Sequence, residues 1–113
     1  MDNVKNDEYF AKKICDDLAF IARHMSSVDS EEFAHNDLLQ DSMMFRLIQI
    51  SENARKLSED YRRTHPSVPF LAMYGLRNRI VHDYGNVDLG IVFTTLKEDI
   101  PELYDRMIEK SNG

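Results

Sequence analysis

The feature that most constrains the fold is a series of apolar residues in the middle of the chain, spaced alternately four and three positions apart. Its members are Met43, Leu47, Ile50, Ala54, Leu57 and Tyr61. Residues three and four apart share one face of an α-helix, so this spacing predicts a long helix from about Asn36 to Tyr61 with an apolar seam of almost three heptads. Met44, Phe45 and Ile48 widen the apolar face, and we therefore expect this helix to contact more than one neighbour.

The same spacing precedes the long helix. An apolar stripe predicts a first helix from about Asp7 to Met25, and its members are Phe10, Ile14, Leu18, Ile21 and Met25. The polar break that follows contains Asp29 and Ser30, either of which can cap a short helical turn through Phe33. No alternating apolar and polar series of strand length is present, so strands are not expected.

Prolines and a glycine delimit the second half of the chain. Pro66 and Pro69 disfavour helix in the residues before them, and Pro69 suits the first position of a third helix that ends near Gly85. Asp88 is the expected N-cap of a last helix, which Pro101 should kink or restart. The sequence therefore predicts an all-α, antiparallel bundle of four to five helices.

The size and composition of the chain limit the classes of function. Its 113 residues suit a single domain spanning residues 1–113. The one cysteine, Cys15, cannot form an internal disulfide, and no apolar segment approaches the ~18 residues of a membrane span. We expect a soluble, cytoplasmic protein with no membrane segment. The net charge of −6 argues against a general nucleic-acid coat protein, so any contact with nucleic acid must use a local basic patch, either Arg62–Arg63 or Arg77 with Arg79.

The segment from residue 76 to residue 85, LRNRIVHDYG, concentrates most of the reactive chemistry. Arginine donates in a planar fork that suits phosphoryl oxygens, and histidine transfers protons near neutral pH. RNA carries its own nucleophile, the 2′-hydroxyl, so an arginine and a histidine can cleave it without a metal. On an ideal helix Arg77 and His82 lie ~140° apart around the axis and ~7.5 Å apart along it. This separation favours a site completed by a second subunit.

Spacing alone also allows a purely structural interpretation, in which these side chains cap helix carbonyls and form surface ion pairs. His24, His35 and His65 have no partner at a metal-ligand spacing, so no metal site is expected. Arg79 can add phosphate attraction, but it points away from Arg77, and we expect it to be an exposed charge or a dimer contact instead. Asp83 can pair with an arginine instead of taking part in chemistry.

The pattern Arg77-x4-His82-x-Tyr84, with Asn78 directly after the arginine, resembles the R-x4-H-x-Y signature of the HEPN superfamily, specifically the HepT-like toxins. The resemblance covers nearly the whole chain. Segments in the family's order are Ser30–Phe33, Ile50–Ala54, Val68–Phe70 and Asp99–Leu103. Ser51 departs from the family, which often has glycine there, and this suggests slightly different helix packing.

The resemblance implies a homodimer in which Arg77 and His82 line a cleft at the dimer interface and act as a metal-independent endoribonuclease that needs no cofactor. Asn78 matches the polar position that orients this pair. Tyr84 matches the tyrosine that a nucleotidyltransferase antitoxin of the MNT type modifies with AMP. The chain would then be the toxin of a type VII-like HEPN/MNT toxin–antitoxin pair.

Two other functions stay open on the sequence. The chain can be a non-catalytic helical adaptor that binds a nucleotidyltransferase and is its substrate, an interpretation that the acidic net charge favours. Alternatively, the motif binds a nucleotide or RNA without cleaving it. Glu52, on the predicted long helix, is a supporting residue at most. The sequence does not identify the RNA target.

Overall fold

The structure is a computed structural model that describes residues 3–80 and 87–112, with side chains from 6 to 80 and from 87 to 108. All regular secondary structure in these residues is helical, which confirms the all-α prediction. None of the helices in these ranges is long and apolar enough to cross a membrane. The elements are α1 (Asn3–Met25), α2 (Ser30–Ala34), α3 (Asp37–Arg55), α4 (Glu59–Thr64), α5 (Phe70–Tyr74), α6 (Leu76–Ile80), α7 (Leu89–Thr94), a π-helical turn (Thr95–Asp99) and α8 (Ile100–Asn112).

The core lies between α1, α3 and α8, and α1 packs against both of the other helices. The predicted seam of α3 is buried as far as Leu57, and Tyr61 packs against its edge. The stripe of α1 is buried in the same way, except that Phe10 is only partly covered. The three-and-four spacing therefore identified the inner faces of both long helices correctly.

A buried ion pair joins α1 to α3 beside this core. Arg46 Nη1 lies 2.7 Å from Asp17 Oδ1, and the Asp17 side chain is only 4% exposed. The Arg46 guanidinium also lies 3.8 Å from the ring centre of Phe20, a favourable cation–π geometry. The other carboxylate oxygen of Asp17 is buried with no hydrogen-bond partner among the described residues, so Arg46 is the group that compensates its charge.

Polar side chains cap both α2 and α3, and the cap of α2 is Asp29, one of the two residues that the sequence predicts. Asp29 caps α2 through its carboxylate, which accepts from the Glu32 backbone N–H at 2.8 Å, and the Glu32 side chain accepts from the Asp29 N–H to complete a capping box. Asn36 caps α3 by accepting from the Leu39 N–H at 3.0 Å. Short polar side chains thus fix the start of both helices.

The prediction of one uninterrupted helix from Asn36 to Tyr61 is wrong. Helix α3 ends at Arg55, and α4 begins at Glu59 with Ser58 as its N-cap. The cause lies far away in the sequence: the buried Asp7 carboxylate accepts from the Ser58 backbone N–H at 2.8 Å and from the Ser58 hydroxyl at 2.6 Å. The apolar spacing continues across the break because Leu57 remains buried.

The predicted third helix also has an interruption. Pro69 is the residue before α5 and not its first residue, and α5 and α6 are separated at Gly75. Gly75 has an ordinary right-handed backbone conformation, with φ −77°, so its backbone conformation does not require a glycine. The predicted end near Gly85 lies outside the described residues.

The last helix begins as predicted, since the Asp88 carboxylate accepts from the N–H groups of Gly90 and Ile91. The restart predicted at Pro101 is present, since α8 begins at Ile100, one residue before the proline. The turn before it is π-helical, and the Ile100 N–H donates to the Thr95 carbonyl five residues back. A proline lacks the N–H that an α-helix needs, and the wider turn is where the helix adapts to it.

Candidate functional site

Helix α6 carries the part of the motif that the structure describes. Leu76 and Ile80 are buried on its inner side, and the three residues between them, Arg77, Asn78 and Arg79, are exposed. Residues four apart lie on one face of a helix, so this short helix is anchored by two apolar side chains and presents three polar ones outward. It packs against α3 and α7.

A serine of α3 holds the junction between α5 and α6. The Ser51 hydroxyl donates to the Tyr74 carbonyl at 2.8 Å. In an unbroken helix that carbonyl would accept from the Asn78 N–H, which here donates to the Gly75 carbonyl at 3.1 Å. Ser51 is fully buried, so its hydroxyl supplies the partner that this interrupted backbone lacks. The departure from glycine at this position therefore has a structural role.

The two arginines of α6 differ in what they contact. Arg79 forms an ion pair with Asp99, and its Nη1 also donates to the Thr95 hydroxyl at 3.1 Å. Neither Arg77 nor Asn78 makes a side-chain hydrogen bond or ion pair with any described residue. Arg79 is thus attached to the π-helical turn, while the Arg77 guanidinium is exposed and has no hydrogen-bond or ion-pair partner within the described part of the chain.

In the alternative basic patch, Arg62–Arg63, both side chains bind groups nearby in the sequence. Arg62 Nη1 donates to the Leu57 carbonyl, in the link between α3 and α4, at 2.7 Å, and Arg63 forms a surface ion pair with Asp60. Both contacts lie close to the break between α3 and α4. Of the two candidate patches, the one on α6 therefore has the guanidinium better able to bind a phosphate.

The other half of the motif, His82 and Tyr84, lies outside the described residues, as do Asp83 and Gly85. The separation between Arg77 and His82, the orientation of Tyr84 and the completion of the site by a second subunit therefore stay predictions. Glu52 is exposed on α3.

The three histidines that the structure describes each have a local structural contact. The His65 ring stacks on Tyr61 at 3.9 Å, and the His24 ring lies 4.2 Å from Phe20. His35 Nδ1 lies 2.9 Å from the Glu31 carbonyl at the end of α2. Within residues 6–80 and 87–108, no cluster of three or more histidine, cysteine or acidic side chains is placed to hold a metal ion.

A cleft of about 440 Å³ lies beside α6, on the side of Arg79. Its floor is apolar and includes Ala72, Leu76 and Leu103. Both arginines in its wall are paired with carboxylates, Arg79 with Asp99 and Arg106 with Glu102. Arg77 is not among its lining residues. The cleft therefore lies beside the residues that attach α6, and the exposed side chain of Arg77 does not line it.

Comparisons with known proteins agree with the resemblance that the motif suggests. A protein of Methanocaldococcus jannaschii named "Putative RNase MJ1216" is 28% identical over 98% of this chain and 92% of its own length. A second protein of that organism, "Putative RNase MJ1380", is 33% identical over 67% of this chain and 70% of its own length. "Probable ribonuclease HepT" of Thermococcus cleftensis is 28% identical over 83% of this chain and 86% of its own length.

No solved structure gives a significant match to the chain. The family comparison covers most of the sequence, since residues 14–109 match the family described as "Ribonuclease HepT-like". These residues include α3, α6 and the whole R-x4-H-x-Y pattern. The chain belongs to the HepT-like ribonuclease family.

Proposed function

We propose that this chain is a metal-independent endoribonuclease that acts as a homodimer and is the toxin of a toxin–antitoxin pair. The observation that carries the proposal is the guanidinium of Arg77, which is exposed and has no partner among the described residues, on a helix that is itself firmly attached. Membership of a family whose relatives are named as ribonucleases supports the same activity. An arginine held on a fixed helix and open to solvent suits the recognition of a phosphodiester.

The chemistry follows from what RNA supplies. The 2′-oxygen attacks the adjacent phosphorus and the bond from phosphorus to the 5′-oxygen breaks, which leaves a 2′,3′-cyclic phosphate and a 5′-hydroxyl. One proton leaves the 2′-hydroxyl and one reaches the departing 5′-oxygen, and His82 transfers a proton in this step. Arg77 donates to the phosphoryl oxygens, where negative charge accumulates in the transition state. Asn78 orients the pair.

In this proposal the second subunit completes the site. Arg77 and His82 of one ideal helix lie too far apart around its axis to bind one phosphate comfortably. Two copies of the segment 77–82 that face each other would bring an arginine and a histidine from different chains to one cleft. RNA would bind in that cleft despite the net charge of −6, because the local positive charge governs phosphate contact.

Cleavage of a labelled RNA in the presence of EDTA tests the proposal. We expect products that end in a 2′,3′-cyclic phosphate, identified by mass spectrometry, and a loss of at least ~100-fold in rate for His82→Ala. His24→Ala is the matched control, because His24 is an exposed histidine away from α6. Activity that disappears with EDTA, or a His82→Ala variant that is folded and fully active, would contradict the proposal.

The regulation that we propose acts on Tyr84. A nucleotidyltransferase antitoxin of the MNT type would transfer AMP to its hydroxyl, which adds bulk and negative charge beside the RNA cleft and repels the substrate. Incubation with the partner enzyme and ATP should add AMP to the wild type and not to Tyr84→Phe. Tyr9→Phe is the control, because Tyr9 is an exposed tyrosine on α1.

The second candidate function is a non-catalytic adaptor that binds the nucleotidyltransferase and is modified by it. The acidic net charge favours it, because a ribonuclease must attract a polyanion. The same two experiments separate the candidates. Modification of Tyr84 with no cleavage by the unmodified protein would favour the adaptor, whereas cleavage that stops on modification would favour the toxin.

A further inference from the structure

Arg79 is the most firmly bound polar side chain of α6. Its guanidinium pairs with Asp99 and donates to the Thr95 hydroxyl, and both acceptors belong to the π-helical turn. The Thr95 side chain is buried, and its hydroxyl donates in turn to the Ile91 carbonyl at 2.8 Å. A chain of hydrogen bonds thus leads from α6 through Thr95 into the backbone of α7.

The location of these acceptors is unusual. π-Helical turns are rare, and they occur frequently at functional sites because they change the direction of side chains within a helix. This turn precedes Pro101 and contains the bond from the Ile100 N–H to the Thr95 carbonyl. Here it presents Thr95 and Asp99 to the same guanidinium.

Helix geometry connects Arg79 to the candidate site. Arg77 and Arg79 are two residues apart and therefore point ~200° apart around the axis of α6. When Arg79 is bound to the π-helical turn, Arg77 must point to the opposite flank. At a radius of roughly 6 Å, a rotation of α6 by about 10° moves a side chain by about 1 Å. A displacement of that size can reduce a catalysed rate by ~100-fold.

We propose that Arg79 is a positioning residue, which through Asp99 and Thr95 fixes the rotation of α6 and so aims Arg77 at the RNA phosphate. This inference rests on the proposed ribonuclease function. It differs from the expectation that Arg79 attracts phosphate itself. The side-chain exposures of the ion pair are 41% for Arg79 and 43% for Asp99, so it adds little to the global stability of the fold and acts mainly on the local placement of α6.

Kinetics of three variants, Arg79→Ala, Asp99→Asn and the double variant, test the proposal. We expect each single change to lower kcat by about tenfold or more with KM within about twofold, and the double variant to be no slower than Arg79→Ala, because the pair acts as a unit. Glu102→Gln is the matched control, since it removes the charge of the neighbouring ion pair with Arg106. It should leave both constants unchanged.

An Arg79 that binds phosphate directly would give a different result. Asp99→Asn would then free the Arg79 guanidinium and lower KM, and Arg79→Ala would raise KM. Either outcome, or losses that multiply in the double variant, would overturn the positioning role.

Hydrogen–deuterium exchange gives a test that does not depend on activity. Asp99→Asn and Arg79→Ala should speed exchange of the amides of residues 76–80 by about tenfold, with α1 and α3 unchanged, and Glu102→Gln should have no such effect. Unchanged exchange in both variants would overturn the inference. A wild-type protein that cleaves no RNA would instead overturn the proposed function, whatever the exchange shows.

Discussion

The α1–α3 pair and helix α6 are adjacent parts of one molecule that are held by different forces. The long helices α1 and α3 share a continuous apolar interface, which buries Ile14, Leu18, Leu47 and Ile50 completely. Helix α6 has five residues and only two buried apolar side chains. Its position depends in addition on polar contacts from two directions, one by Ser51 to the Tyr74 carbonyl and one by Arg79 to Thr95 and Asp99.

Different interactions supply the stability of this fold and the orientation of its side chains. Apolar burial is strong but non-directional, so it keeps α1 and α3 together without fixing fine orientation. Hydrogen bonds are weaker in net free energy but depend on geometry. The segment that presents Arg77 is therefore the one in which orientation is set by polar contacts.

The largest expected effect is on the apolar scaffold. Leu47→Ala should lower the free energy of unfolding by about 3 kcal/mol, because Leu47 is fully buried and its removal leaves a cavity. Urea denaturation measures this change. Leu38→Ala is the control on the same helix, since Leu38 is 84% exposed, and it should change stability by less than about 0.5 kcal/mol. Equal effects of the two variants would contradict the scaffold role of the seam.

A smaller effect is expected at the junction before α6. Ser51→Ala removes the hydroxyl that satisfies the Tyr74 carbonyl and should cost about 1–2 kcal/mol of unfolding free energy. Ser42→Ala, on the same helix and without a side-chain hydrogen bond among the described residues, should be close to neutral. A neutral Ser51→Ala variant would show that this polar contact does not hold the junction.

The smallest expected effect concerns the chemistry of Cys15 on α1, with no change in stability. Burial, and then the neighbouring Asp16 carboxylate, raise the pKa of the thiol, and a raised pKa lowers the fraction of thiolate at a given pH. At pH 8, Cys15 should react with a disulfide reagent more slowly in the folded protein than in urea. Equal rates would mean that the thiol is not protected by burial in the folded protein.

The sequence predicts what local spacing determines. The inner faces of α1 and α3 follow from apolar positions three and four apart, and the caps Asp29 and Asp88 lie next to the residues that they serve. The break at Ser58 was missed, because the apolar spacing continues through it and its cause, Asp7, lies 51 residues away. No local pattern reveals such a contact.

The candidate site shows the same limit. The motif identifies Arg77 as the arginine of interest, and the structure agrees that it is exposed. The motif does not indicate that Arg79 is bound to Asp99, which lies 20 residues further along the chain in a turn whose π-helical form depends on its surroundings. The motif therefore separates the two arginines, but only the tertiary contacts show what holds Arg79.

The most direct test of the account is the rate of RNA cleavage by Arg77→Ala in EDTA, measured with protein in excess over a single labelled RNA. Arg63→Ala is the matched control, because it removes another exposed arginine on a different part of the surface. We predict that Arg77→Ala lowers the rate by at least ~100-fold while its melting temperature stays at that of the wild type, and that Arg63→Ala cleaves normally. A folded Arg77→Ala variant that cleaves as fast as the control would contradict the account.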